Sequence, residues 1–466
     1  MTGAKVVMTQ VSQSSSVGLV VLIFGIGMAA SILPMPSLAV AALLCSVVGL
    51  WAIPDRVAVG LPLFLILVIP ADHINGLNGA VAGLFALGLS LSMAIASVTR
   101  YRLAGVRRMD WDLMALAGVL LVAGLIHAGS GELRNVVYWV AACLALTWLR
   151  GAEHAIAGTS RQVVVAMIGG SVIGSLFACI ETLGGVRLES LIPGYEPHQL
   201  SFSGVLGQRG AGLSGHPLRL GTLTMLGTIL SAAWMMGDGV SRQARLVLGA
   251  ALLISIAGLV LSGARGAWLG LVAGAALAAI VKGHVRGFSR LAPLIFGAAA
   301  LALVVWGTGL WGIVYERMFG IASNPGSFGQ RFQALLAVAD ASRRVPLLGV
   351  GFGGADEITQ DVGLRIPNLE NEYLRFFLAA GWVGPMALLC VFIRRIASAR
   401  LRAVFPFQTA VLGCLGALAV NVATYNMLSW SIGPMLVFVL AFLALPQGQQ
   451  DGTRHASTSL AGEVRT

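Results

Sequence analysis

Apolar residues fill long uninterrupted stretches of this chain, and its polar residues gather in the intervals between them. Stretches near 17–33, 35–53, 57–71, 76–98, 112–128, 133–149, 162–183, 214–236, 243–262, 265–281, 291–313, 373–393, 407–427 and 429–445 are rich in Ala, Leu, Val and Gly. Most, at about 17 to 23 residues, are long enough for a helix to cross a bilayer core. They lack the alternation of barrel strands, and in lipid a helix satisfies its own backbone. The expected fold is all-α: a polytopic integral membrane protein of about 12–14 transmembrane helices with a large loop containing short helices. Residues 17–445 form the membrane region. Residues 1–16 and 446–466 are too polar to join it and are expected to be disordered cytoplasmic termini. Val17 to Leu33 has the look of a signal peptide, but further spans follow at once and no convincing cleavage site appears, so it is taken as the first retained helix.

Composition agrees with the pattern. The chain is 57% hydrophobic and 11% charged, with a mean hydropathy of +0.87, values that a soluble core of 466 residues does not reach. A net charge of +11 raises the possibility of nucleic acid as a partner. The placement of the charge points elsewhere, because basic residues sit mainly in short interhelical loops, the orientation signal of an inner-membrane protein. Arg56; Arg100, Arg102, Arg107 and Arg108; Arg150 and Arg161; Arg242 and Arg245; Lys282, Arg286 and Arg290; and Arg394, Arg395, Arg400 and Arg402 are all expected on one side, the cytoplasm. The five cysteines lie inside apolar runs without metal-like spacing and read as small buried hydrophobes.

The opposite face then receives Asp72-His-Ile-Asn-Gly76, a loop over about 184–215, the turn Ser262-Gly-Ala-Arg265 and a polar interval over about 314–372. Arginines there run against the positive-inside bias. Arg209, Arg219, Arg265, Arg317, Arg331, Arg343, Arg344 and Arg365 therefore call for an anionic partner or a paired acid.

Three groups of residues on this face carry candidate chemistry. Gln208-Arg-Gly-Ala-Gly-Leu-Ser-Gly-His216-Pro217-Leu-Arg219 opens a helix near Pro217, where glycines and free amides at a positive dipole end would suit an anion; the alternative is an ordinary glycine-rich turn with snorkelling arginines. Leu261-Ser-Gly-Ala-Arg265-Gly-Ala-Trp268 turns between two apolar helices and leaves one guanidinium at the membrane boundary, either as an interfacial anchor or as a lipid head-group ligand. The interval itself holds an amphipathic helix and a Pro-Leu-Leu-Gly turn over 329–354. It ends in Ile366-Pro-Asn-Leu-Glu370-Asn371-Glu372-Tyr373-Leu374, where Asn368 is placed to cap a helix with Glu370 and Glu372 in its first turn. Glu370 is open to either reading, helix cap or chemistry.

In this order, separated by spans, the three groups resemble the O-antigen ligase and O-antigen polymerase family of bacterial inner membranes. The resemblance covers roughly Gln208 to Val391 and rests on Arg209, Gly212, His216 and Pro217; on Ser262 to Trp268; on Arg331 and Pro346 to Gly353; and on Asn371, Tyr373, Leu374, Gly381 and Gly384. It implies a GT-C-like glycosyltransferase with its active site facing the periplasm. The implied reaction is an inverting, metal-independent transfer of glycan from an undecaprenyl-diphosphate carrier to an acceptor hydroxyl, with no cofactor. The implied partners are that lipid-linked donor, a glycan or lipid A core acceptor and membrane lipids, with no nucleic acid. On the resemblance, Arg265 and Arg209 hold the diphosphate, Arg331 is a third ligand or loop organiser, and Arg219, His216, Asn371 and Tyr373 contribute to substrate binding. A diphosphate leaving group needs cations, and no Asp-rich metal motif is seen, so guanidinium forks are expected to serve.

One position departs from the family. Ligases usually carry His immediately before the Asn-x-Tyr-Leu pattern, and here that position is Glu370. A carboxylate can act as general base, so the chemistry survives, with His216 in reserve. The departure turns the expectation toward a polysaccharide polymerase, with O-antigen ligase as the alternative. A flippase or transporter for the same lipid-linked sugars is the reading from another class, but it wants ionisable groups near midplane in two related halves, and here they crowd one face without an internal repeat. A non-catalytic scaffold leaves the outward arginines unexplained.

Overall fold

A computed structural model describes residues 54–68, 110–126, 130–184, 209–282, 326–361, 370–400 and 406–444, apart from 56, 157, 238, 344 and 431, together with Leu50, Leu91 and Ile95. Every regular element among them is helical. In chain order these are α1 (Gly60–Val68), α2 (Trp111–Ile126), α3 (Ser130–Ala155), α4 (Thr159–Gly184), α5 (Pro217–Met235), α6 (Arg242–Ser262), α7 (Arg265–Lys282), α8 (Gly326–Ala341), α9 (Gly351–Asp361), α10 (Glu372–Ala380), α11 (Val383–Arg400), α12 (Pro406–Val422) and α13 (Ile432–Leu443), with short 3-10 turns at Gly212–Ser214 and Met427–Ser429.

Among the described residues α4, α5 and α6 have the length and apolarity to cross a membrane, and shorter apolar helices lie within α2, α7, α12 and α13. Leu246, Val247, Val272 and Ile280 are exposed on α6 and α7, the surface that lipid rather than water covers. The protein is an all-helical polytopic membrane protein. The termini 1–16 and 446–466, the span 291–313, most of 17–53 and 76–98, and the Asp72–Gly76 segment lie outside the described residues.

Helix α5 is the centre of the bundle: 78% of its apolar window is buried, against 39% for α6. Small residues let its neighbours approach, as expected where lipid supplies no hydrophobic drive between helices. On α7, Gly266, Gly270 and Gly274 recur every four residues and face α12, so that a Cβ on Gly270 would lie 2.7 Å from the Ala417 carbonyl oxygen. Ser171 of α4 and Ser255 of α6 share a buried hydrogen bond of 2.8 Å. At the start of α1, Gln162 Oε1 accepts from the amides of Val59 and Gly60, two donors that the helix itself leaves unpaired.

Two expectations change. The run 373–393 is one helix by hydropathy, but it is two in the structure: α10 stops at Gly381, whose φ of 61° is open to glycine, and α11 begins at Val383. The break lets the Pro346–Gly349 turn pack against the end of α10, where Val350 N donates to Leu378 O at 2.9 Å.

Arg150 and Arg395, expected as loop charges that set orientation, are instead buried within α3 and α11. Arg395 pairs with Asp110 (3.0 Å) and, through two nitrogens, with Asp112; Arg150 donates to both oxygens of Asp110 and to Glu153 at 2.7 Å. Buried guanidiniums persist only when paired, and these join the ends of α2, α3, α11 and, through Ala441 O, α13. They do share one end of the bundle.

Candidate functional site

The opposite end gathers most of the residues singled out by sequence, and the α12–α13 connector, residues 423–431, is what they gather around. Helix α5 starts there because Pro217 needs no amide partner at a helical N1 position and His216 caps it, its Nδ1 accepting from Leu218 N at 3.2 Å. That bond has a chemical consequence. With Nδ1 as acceptor, neutral His216 carries its proton on Nε2, which suits it to donate toward a ligand rather than to take a proton from one.

The His216 ring is parallel to Tyr425 (6° between planes, centroids 6.2 Å apart) and tilted against Trp430 at 4.7 Å. One turn into α5, buried Arg219 has its Cζ over Trp430, 3.6 Å from the ring centroid. An indole over a guanidinium both attracts the charge and fixes its plane.

Arg209 precedes this helix by one loop. Its Nε donates to Ser262 O at 2.7 Å, and the next amide, Gly210 N, donates to Leu261 O at 3.1 Å. These two bonds stitch the Arg209 loop to the turn that carries Arg265. Within that turn Ser262 Oγ accepts from Ala264 N at 3.2 Å, and Arg265 opens α7 with its side chain exposed. Two further contacts close the end: Asn421 Nδ2 donates to Thr222 Oγ1 at 2.7 Å, and Gly266 lies against Thr424 with no space for a side chain.

The re-entry from the long polar interval meets the same connector. Asn371, not Asn368, caps α10, its Oδ1 accepting from Leu374 N at 3.2 Å; Asn368 lies outside the described residues. Glu370 therefore stands before the cap, half-buried on a bend, and not in the first helical turn. Glu372, read from sequence as a dipole partner, does more. It is fully buried, and its Oε2 accepts from Leu428 N at 3.0 Å in the turn just before Trp430. Tyr373 donates its hydroxyl proton to Ala419 O at 3.1 Å, a second tie between α10 and α12.

Arg331 sits on α8, and its side chain is outside the described residues; Arg317 and Arg365 are outside them altogether. Helix α8 joins α9 and α10 through a small cluster of Val338, Ala341, Ala355, Phe377 and Leu378. The structure thus brings together Arg209, His216, Arg219 and the Arg265 turn directly, and Glu370 to Tyr373 through the connector.

Two features of the site escaped sequence reading. The connector Thr424-Tyr-Asn-Met-Leu-Ser-Trp430 is brief and flanked by apolar runs, though two aromatics and an Asn in an outward turn are a signal. Glu181 ends α4 and accepts from the amides of Ala211 and Gly212, at 3.0 and 2.7 Å. Those amides are thereby engaged, so the glycine-rich loop does not offer them to a ligand as expected.

Residues 250–390 match the family model described as O-antigen ligase. That stretch, less than a third of the chain, is similar to the O-antigen ligase family. No curated protein matches the chain. The matched stretch spans the Arg265 turn, the long interval with its Pro346–Gly349 turn, and the Asn371-x-Tyr-Leu helix. The match begins after the Arg209 loop and α5; bonds from Arg209 and Gly210 to Ser262 and Leu261 tie that loop to the matched stretch, and Gly221 of α5 packs against Ala264 in it.

Proposed function

We propose that this protein transfers glycan from an undecaprenyl-diphosphate carrier to an acceptor hydroxyl at the periplasmic face of the bacterial inner membrane. The observation that carries the reading is the bond from Arg209 Nε to Ser262 O, which holds one guanidinium beside the turn bearing another. A held cation beside a turn that bears a second one suits a diphosphate better than any neutral head group.

In this mechanism Arg265 and Arg209 bind the diphosphate oxygens, with Arg219 and Arg331 extending the cationic surface toward the carrier. The acceptor oxygen attacks the anomeric carbon from the face opposite the carrier and inverts its configuration. Its proton passes to the Glu370 carboxylate. The sugar–phosphate C–O bond breaks, and the electron pair leaves on the diphosphate, where the guanidiniums stabilise the growing charge without a metal. His216 donates from Nε2 to a substrate oxygen, while Asn371 and Tyr373 fix the start of the helix on the acceptor side.

Because Glu370 stands where ligases of the family carry His, the acceptor is read as a second carrier-linked glycan, making the protein a polysaccharide polymerase. Deletion of the gene, followed by gel separation of lipopolysaccharide and carrier-linked glycans, tests this. Accumulation of single carrier-linked repeats is the expected result. Accumulated long polymer with undecorated lipid A core would make the enzyme a ligase, and unchanged glycans would remove the proposal.

A further inference from the structure

We infer that Glu181 is a positioning residue that sets Arg209 for the donor diphosphate. The inference deepens the proposed function and rests on that reading. Glu181 lies in the last turn of α4, 8% exposed, and a carboxylate so placed requires partners. Its partners are not on its own helix. One oxygen, Oε2, accepts from Ala211 N at 3.0 Å and Gly212 N at 2.7 Å, thirty residues along the chain.

The backbone there is shaped for an anion. Ala211 is right-handed (φ −105°, ψ −26°) and Gly212 is left-handed (φ 52°), a succession that turns consecutive amides into one concavity, the nest in which phosphates are often held. In this chain the nest is filled by an internal carboxylate. Only glycine fits at 212, because any Cβ would strike the Gly174 carbonyl oxygen.

What the clamp holds is the loop that carries Arg209. Arg209 Nε donates to Ser262 O and Gly210 N to Leu261 O, so the segment 209–212 is tied to α6 by its first half and to α4 by its second. Charged acceptors make hydrogen bonds about twice as strong as neutral ones, and here both fall within three residues of the guanidinium. Without them the loop keeps its ties to Ser262 and Leu261 but loses these two bonds to α4, so the segment that carries Arg209 is held less firmly. Glu181 engages the amides of the loop that carries Arg209, so we assign it a role through Arg209.

Full-length enzyme reconstituted in vesicles with a carrier-linked glycan donor tests the relation. Glu181→Ala should lower kcat/KM for the donor about tenfold or more, Glu181→Gln, which keeps an acceptor oxygen, should recover most of it, and Glu181→Ala should cost less than about threefold once Arg209→Ala is already present. Multiplicative losses in the double variant, or Gln as damaged as Ala, would overturn the inference. A second measurement does not depend on activity. In a background with the five native cysteines replaced by Ala, Leu213→Cys should react with a maleimide about tenfold faster when Glu181→Ala is also present. Unchanged labelling counts against Glu181, whereas absent transfer by the wild-type enzyme counts against the proposed reaction.

Discussion

The guanidinium of Arg219 lies 3.6 Å from the centre of the Trp430 ring, and Trp430 is held there from the far side of the site. Glu372, on the helix that returns from the long polar interval, accepts from Leu428 N two residues before Trp430. Helix α10 therefore buttresses the Arg219 cation of α5 through a single turn of backbone. Trp430→Ala should weaken donor binding by about 1–2 kcal/mol, roughly five- to thirty-fold in donor KM, with Phe intermediate and kcat less affected. A kcat loss without a KM change would separate Trp430 from the donor.

Arg265 stands at the start of α7 with an exposed side chain, where a change costs the fold little. Arg265→Ala should abolish glycan transfer while the protein still reaches the membrane in normal amount. Lys should not restore it, since a point charge replaces the planar fork. Transfer should also run at full rate in EDTA. Activity retained by the Ala variant would end the diphosphate role of Arg265.

Glu370 separates cleanly from its neighbours, because Asn371 makes the cap and Glu372 is engaged with Leu428. Glu370→Gln should lower kcat by about 10²- to 10⁴-fold, the range for loss of a general base, without changing the melting temperature. A change within about twofold would leave it no part in proton transfer.

The α7–α12 contact sets a different expectation, one of stability. A Cβ on Gly270 would lie 2.6 Å from Met225 Sδ and 2.7 Å from Ala417 O, so Gly270→Val should overpack the interface and cost about 1–3 kcal/mol. Melting in detergent should show it as a lowered midpoint at unchanged chemistry per folded molecule.

At the other end, Arg395 is 1% exposed and pairs with Asp110 and Asp112. Arg395→Met leaves Asp112 with the exposed Arg394 at 3.8 Å as cationic neighbour in place of a buried two-nitrogen pair, and should destabilise the protein by about 3 kcal/mol, read as lost yield and a lower melting midpoint. Adding Asp112→Leu should recover much of the loss. No recovery would show that the pairing is not what buries Arg395.

Much of this protein is legible in its sequence because lipid imposes a rule that composition alone reveals. Runs that must satisfy their own backbone have to be helices, so α4, α5 and α6 fall within a few residues of the apolar stretches at 162–183, 214–236 and 243–262. The residues Arg209, His216, Arg265 and Glu370 stand out for a related reason, since polar groups at a membrane boundary are few and conspicuous. Hydropathy is blind to other things. It reads 373–393 as one span because apolar character continues through Gly381, whereas the backbone there breaks at a positive φ.

What only the tertiary structure decided is which partner each polar group takes, because those partners are distant in the chain and some are backbone atoms without any residue identity. Arg209 finds the Ser262 carbonyl 53 residues away, and Glu372 finds an amide 56 residues away. Arg150 and Arg395 look like loop charges until Asp110 is brought between them, which requires the ends of α2, α3 and α11 to converge. By itself the sequence determined that this is a helical membrane protein whose few polar groups between spans include Arg209 and Arg265. Packing determined that the amides of its glycine-rich loop are held by Glu181, and that Arg219 lies beneath Trp430.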